Sequence, residues 1–309
     1  MTTIDGRTAL LMSVPPLLWA GNAVVGRLVV GSVPPMQLNL LRWLLAAAIL
    51  LPLGWRALRD GRAIAQRWPH LLLIGTLSIG LYNALQYLAL VSTTPVNVTL
   101  IAASLPVWML AVGSLAHRMH PSPRQLAGAA LSLAGVAVVV ARGELAALAR
   151  IHFVIGDLYV VLAVISWSVY SWQLARPPAS MRAPLRPDWD WAGFLLIQVL
   201  FGLVGAAACA AGEAATGAPP IRWNGWVVAA LVYVAVGPAI LAYRCWGLGI
   251  ARGGPALAAF FGNLTPVFAA LLSAVLLREP PRPFHALAFG LIVLGIVVSS
   301  PARRQKVPG

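Results

Sequence analysis

Apolar residues fall along this chain in long unbroken blocks separated by short charged or Pro/Gly-rich breaks. Ten blocks are visible, at about 8–30, 37–54, 69–90, 95–116, 124–141, 153–175, 191–212, 226–248, 254–277 and 284–300. A helix that crosses a bilayer needs roughly 20 mostly apolar residues, so the pattern predicts ten membrane-spanning helices. Only the connections 55–68, 142–152, 176–190 and 213–225 are longer than a tight turn. None is long enough for an extramembrane domain.

The blocks repeat. Adding 160 to a residue number carries Pro95 to Pro255, Pro106 to Pro266, Val107 to Val267, Arg118 to Arg278, Pro121 to Pro281, Pro123 to Pro283, Leu131 to Leu291 and Gly135 to Gly295. Proline and glycine matching at fixed spacing is hard to obtain by chance between two oily segments, so the chain reads as an internal duplication. The first repeat covers 1–150 with five spans, the second 151–300 with five, and 301–309 forms a basic tail.

Charge sets the orientation, because cytoplasmic loops carry the excess of Lys and Arg. With the N-terminus inside, fourteen basic residues fall in cytoplasmic segments and only Arg142, Arg150, Arg222, Arg278 and Arg282 fall outside. Both termini are therefore expected in the cytoplasm. Five spans per repeat is an odd number, so the two repeats run through the membrane in opposite senses. Such inverted repeats surround a pseudo-two-fold axis in the membrane plane and build a site near the bilayer midplane.

Composition narrows the class further. Hydrophobic residues make up 60% and charged residues 10% of the chain, with a mean hydropathy of +0.83; soluble domains carry about a quarter charged. The net charge of +14 is scattered over loops rather than gathered on one face, which argues against a nucleic-acid partner and for membrane topology. Cys209 and Cys245 lie inside apolar blocks and read as small buried side chains. The first apolar run, continuous to Val30, does not read as a cleavable signal. Twenty-one Arg to one Lys among 22 basic residues, with much alanine, points to a bacterial source and an inner-membrane, multi-pass location.

Several stretches together resemble the EamA-like family of the drug/metabolite transporter superfamily. They are Trp19-Ala20-Gly21-Asn22, Leu41-Arg42-Trp43, Tyr87-Leu88-Ala89-Leu90, Pro106-Val107, Gly156-Asp157, Ser166-Trp167, Gln198, Ala242-Tyr243, Gly254-Pro255-Ala256, Thr265-Pro266-Val267-Phe268-Ala269 and Arg278-Glu279. The resemblance covers nearly the whole chain. It implies an all-α basket with a central cavity lined by spans 1, 3, 4, 6, 8 and 9. Two positions depart from the family pattern: Thr265 and Met119 stand where relatives often carry acids.

Polar side chains inside a span are expensive and tend to mark pathways. Tyr82, Asn83, Gln86 and Tyr87 form two i, i+4 pairs on one broad face of span 3, as cavity lining or as interhelical hydrogen-bond glue. Trp19 with Asn22, and Trp167 with Tyr170, each sit a turn apart, and Trp19 matches Trp167 across the repeat. They are expected to approach the axis together, packing aromatics being the alternative. Trp108 and Asn263 flank the mid-span prolines Pro106 and Pro266, which free backbone carbonyls or merely kink. Tyr243, Arg244 and Trp246 form a further group, in which Arg244 either snorkels or anchors a substrate carboxylate near the inner mouth. Arg27 is expected to snorkel and Arg42 to anchor span 2 near the outer surface.

No Asp, Glu or His falls in mid-span, so a carboxylate proton relay is not legible; Asp157 reads as a helix N-terminal acid. No catalytic motif, metal-ligand spacing or cofactor fingerprint is present. The expected function is a secondary transporter, an exporter by preference, of small amphipathic metabolites such as amino acids. A sugar-phosphate or nucleotide-sugar carrier and a non-transporting accessory subunit are the alternatives. The partners are the small-molecule substrate and the bilayer; the oligomeric state stays open between monomer and assembly.

Overall fold

A computed structural model of the chain describes residues 5–29, 31–89, 92–144, 152–276 and 282–300. Among these residues every regular element is helical. In chain order they are α1 (Gly6–Leu28), α2 (Pro35–Leu58), α3 (Gly61–Gly75), α4 (Tyr82–Ala89), α5 (Pro95–Ala102), α6 (Leu105–His117), α7 (Pro123–Val140), α8 (Ile155–Ala175), α9 (Trp191–Ala215), α10 (Gly225–Val234), α11 (Ala242–Gly262), α12 (Thr265–Leu276) and α13 (Pro283–Ser299). Two π-helical segments, Thr76–Leu81 and Ala235–Leu241, join α3 to α4 and α10 to α11 without a break.

Among the described residues, six stretches are long and apolar enough to cross a membrane: Pro35–Leu58, Asn97–His117, Pro123–Val140, Ile155–Ala175, Trp191–Ala215 and Gly225–Gly262. Large apolar side chains such as Leu115, 86% exposed, and Val204, 66% exposed, point outward from them. A face of that kind is stable only against lipid, which makes this an integral, multi-pass membrane protein.

Small residues let the helices touch backbone to backbone, as membrane packing requires. A methyl placed on Gly128 of α7 would lie 2.6 Å from the carbonyl oxygen of Gly295 in α13. One on Gly135 would lie 2.8 Å from that of Ala288. The numbering gives these contacts their meaning: Ala288 is Gly128 plus 160, and Gly295 is Gly135 plus 160. The seam is thus isologous, the pattern of a two-fold axis. The early part of α7 meets the late part of α13, so the two run antiparallel. α2 and α9 do the same. Gly54 lies on Gly193 at one end of that pair. At the other, the Glu213 carboxylate accepts from the Met36 and Gln37 N–H groups at 3.1 and 2.9 Å, capping α2 where its dipole favours an anion.

Two apolar blocks expected as single spans are each split. α5 gives way to α6 at Ala103–Ser104, and α11 to α12 at Asn263–Leu264, again 160 residues apart. Pro106 and Pro266 consequently sit in the first turn of a new helix, where a missing N–H costs nothing, rather than in mid-helix. The break between the apolar blocks 226–248 and 254–277 is concentrated at Gly254, whose φ of 82° suits glycine, while the flanking backbone stays helical. Asp157 caps α8 as expected. It is 4% exposed and accepts from Val154 N at 2.8 Å, from Asn97 Nδ2 and from the Thr93 hydroxyl. Cys209 and Cys245 are free thiols.

Candidate substrate site

The centre of the bundle is a cluster of aromatic rings around Trp167 of α8. Ring centroids lie at 4.9 Å for Tyr82, 5.1 Å for Tyr170, 5.4 Å for Trp19, 5.4 Å for Tyr243 and 5.5 Å for Trp246. These are tilted or edge-on arrangements, the geometry that ring quadrupoles favour. The rings come from α1, α4, α8 and α11, and hence from both halves of the chain. Trp43 of α2 extends the cluster, edge-on to Tyr243 at 5.1 Å.

The two π segments position this cluster. A π turn carries one extra residue and leaves main-chain carbonyls free for outside partners. The Ser78 carbonyl accepts from Tyr243 Oη at 2.7 Å, and the Leu77 carbonyl from Ser166 Oγ at 2.7 Å. In the second π segment, the Pro238 carbonyl accepts from Trp19 Nε1 at 3.3 Å. Ser78 plus 160 is Pro238, so matched carbonyls of the two repeats each hold one ring of the cluster. Gln198 of α9 closes the polar side, donating to Ser78 Oγ at 2.9 Å and Tyr170 Oη at 3.1 Å. Trp246 Nε1 donates to Ser171 Oγ at 3.1 Å.

Beside the cluster opens a cavity of about 550 Å³, lined by Trp172, Arg176, Arg182, Arg186, Ile250 and Gly254 among others. Ile250 of that lining lies four residues past Trp246 on α11, a rise of about 6 Å along the helix. Trp172 is pinned there by its Nε1, which donates to the Met109 carbonyl at 2.8 Å, and His117 stacks on it at 4.8 Å. A second, apolar cavity of about 300 Å³ lies between Asn97, Leu100, Ile101, Ser104, Leu133, Phe153 and Val161.

Of the expected residues, Trp19, Tyr82, Trp167, Tyr170, Tyr243 and Trp246 come together. Gln86 is half-buried one turn past Tyr82 on α4. Asn22 and Asn83 are half-buried on α1 and α4, outside the ring contacts. The side chains of Tyr87 and Arg27 lie outside the described residues.

Three expected residues stand elsewhere. Trp108 packs on the apolar cluster of Ala89, Val160 and Val164, the two valines lying one to two turns before Trp167 on α8, and among the described residues it makes no ring contact with the aromatic cluster. Arg244 lies 5.0 Å over the Trp191 ring at the start of α9. One position round the helix from Tyr243, it leaves α11 on another side and contributes to neither the rings nor the cavity lining. Asn263 is 2% exposed and donates to Ala103 O at 3.1 Å and Ser132 Oγ at 2.9 Å, an internal clasp rather than a cavity wall. Arg42, expected to anchor span 2, is 5% exposed. The π segments, Gln198, Ser78 and Trp43 were not singled out by the sequence as site elements. Only Pro238 within an apolar block hints at a π turn.

Among the described residues no three His, Cys, Asp or Glu side chains gather as a metal site would need.

Comparison with known proteins gives a consistent picture. Residues 6–141 and 154–300 each match the EamA-like transporter family. An uncharacterized transporter of Archaeoglobus fulgidus is 25% identical over 98% of this chain and 100% of its own length. The aromatic amino acid exporter YddG of Ancylobacter novellus is 27% identical over 98% of both chains. The uncharacterized inner membrane transporter YedA of Escherichia coli K12 is 28% identical over 91% of this chain and 87% of its own. A solved crystal structure superposes with a TM-score of 0.76 at 25% identity, covering 96% of this chain and 97% of the other.

Proposed function

The chain belongs to the EamA-like transporter family, and on that footing we propose that it exports small amphipathic metabolites, amino acids among them, by alternating access. The protein sits in the inner membrane, with ten spans arranged as inverted repeats 1–150 and 151–300 and a cytoplasmic tail at 301–309. Both termini are cytoplasmic. The isologous α7–α13 seam and the antiparallel α2–α9 pair support the inversion.

The observation that carries the substrate class is the ring cluster. Six aromatic side chains from both halves, Trp167 at their centre, come together with Gln86, Gln198 and a few hydroxyls at their edge and, among the described residues, no carboxylate in contact. Such a surface takes the apolar part of a neutral or zwitterionic solute at little cost, since the rings themselves carry no charge. One relative is named as an aromatic amino acid exporter, which agrees. Trp19, Tyr82, Gln86, Trp167, Tyr170, Tyr243 and Trp246 are the contact residues. The Arg-lined cavity is the entry from the cytoplasm, where its basic loops belong.

A carrier of sugar phosphates is the second reading. It is favoured by Arg176, Arg182 and Arg186 around the 550 Å³ cavity. Counterflow in proteoliposomes decides between the two: purified protein loaded with L-phenylalanine exchanges external L-phenylalanine and not glucose 6-phosphate. The reverse preference rejects the amino acid reading, and exchange of neither across a broad metabolite panel rejects transport.

A further inference from the structure

Asn39, Arg42 and Trp43 share one face of α2, at spacings of three and four residues. Asn39 is 0%, Trp43 1% and Arg42 5% exposed. Arg42 Nη2 donates to Asn39 Oδ1 at 2.7 Å. Beyond that bond, Asn39 Nδ2, Arg42 Nε and Trp43 Nε1 have no hydrogen-bond partner among the described residues. Glu213, the acid that reaches α2, directs its two oxygens to the N–H groups of Met36 and Gln37 instead.

All three orphans are donors, and one belongs to a cation that keeps its proton in proteins. A single buried donor without a partner is a packing defect. Three on one turn, around a guanidinium that meets only the Asn39 oxygen and, at 5.1 Å, the face of the Trp43 ring, form a site whose anionic acceptor is missing. A carboxylate supplies what they lack: a negative charge and two coplanar oxygens for the guanidinium fork. The site also has a neighbour of the right kind. Trp43 stands edge-on to Tyr243 at 5.1 Å, and Tyr243 lies 5.4 Å from Trp167.

We propose that Asn39, Arg42 and Trp43 form the subsite for the carboxylate of the transported solute, while the ring cluster takes its apolar end. This rests on the amino acid reading above. It makes the preferred cargo an aromatic or bulky apolar carboxylic acid, and it makes the α-ammonium group secondary.

Three probes separate these groups: L-phenylalanine, phenylpyruvate, which keeps the carboxylate and lacks the ammonium, and phenethylamine, which lacks the carboxylate. Wild-type proteoliposomes are expected to exchange the first two at least tenfold faster than the third. Arg42→Gln should lower both carboxylate rates at least tenfold more than the phenethylamine rate. Trp43→Phe keeps a ring on Tyr243 and removes one donor, so it should raise KM several-fold for the same two compounds. In detergent, phenylpyruvate should raise the melting temperature of the wild type and phenethylamine should not. Folded variants that keep the wild-type carboxylate-to-amine ratio overturn the subsite and leave the transport reading standing. Stabilisation by chloride equal to that by phenylpyruvate also overturns it. A wild type that moves none of the three probes removes the amino acid reading and the subsite together. Should Arg42→Gln fail to fold, Trp43→Phe alone decides.

Discussion

Asn263 hydrogen-bonds the residue that stands 160 positions before it: its Nδ2 donates to the carbonyl of Ala103 at 3.1 Å. Positions related by a two-fold axis touch their own mates only on that axis. The pair therefore marks where the axis passes, in the break between α5 and α6 and the matching break between α11 and α12. The same amide donates to Ser132 Oγ at 2.9 Å, so one asparagine ties both halves together at their common centre.

Replacing Asn263 with leucine removes two donors and strands the Ala103 carbonyl in a buried place. The expected loss is about 1–2 kcal/mol, read as a lower melting temperature in detergent. Initial transport rates measured well below the melting temperature should stay within about twofold of wild type, since the side chain clasps helices and does not touch solute. An Asn263→Leu variant as heat-stable as wild type would show that the clasp is idle.

The α7–α13 seam allows a paired comparison. Gly128→Ala drives a methyl to 2.6 Å from a backbone oxygen that cannot yield without separating the helices. A cost of about 1–3 kcal/mol follows from overpacking of this kind. Gly290→Ala, on α13 with nothing within 4 Å, should be neutral or slightly stabilising through helix propensity. Thermal melting of the two variants side by side checks the difference.

Trp167 holds five rings in place. Trp167→Ala should abolish measurable counterflow and cost about 3–5 kcal/mol through the cavity it leaves. Trp167→Phe should retain part of both. Equal transport by the alanine variant would detach the cluster from function.

Gly254 has open space around it and a φ of 82°. The penalty for alanine there is conformational, about 1–3 kcal/mol, since φ 82° with ψ 164° is a region essentially reserved for glycine. Gly247→Ala, also in open space but helical, carries no such penalty and should stabilise slightly. The contrast appears as melting shifts of opposite sign.

The helical character, the duplication and its register were legible in the sequence because they depend on rare residues and on block length. Six of the expected aromatic residues do converge, since tryptophans and tyrosines a turn apart on matched spans have few other places to go. What the one-dimensional pattern hid was direction. Arg244 neighbours Tyr243 in sequence, yet a step of about 100° turns it toward Trp191. Trp108 follows Pro106, yet it packs on the neighbouring cluster of Ala89, Val160 and Val164 and not on the rings. Arg42 has the composition of an anchor, and only the packing of α9, α10 and the second π segment against α2 shows that it is enclosed. Asn263 opposite Ala103 in the repeat register was the clue to a contact, but a difference between mates reads as easily as a site.

The Gly128–Gly295 and Gly135–Ala288 contacts also bear on ancestry. A seam in which each half offers the same patch to the other is one that two separate copies of a half-length chain could form before any fusion. Those copies would have had to insert in both orientations, since α7 and α13 run oppositely, and so could not have carried a strong bias of basic residues. The fused chain is free of that restraint. On the proposed topology, its fourteen-to-five imbalance of loop charges fits a single fixed orientation for each half.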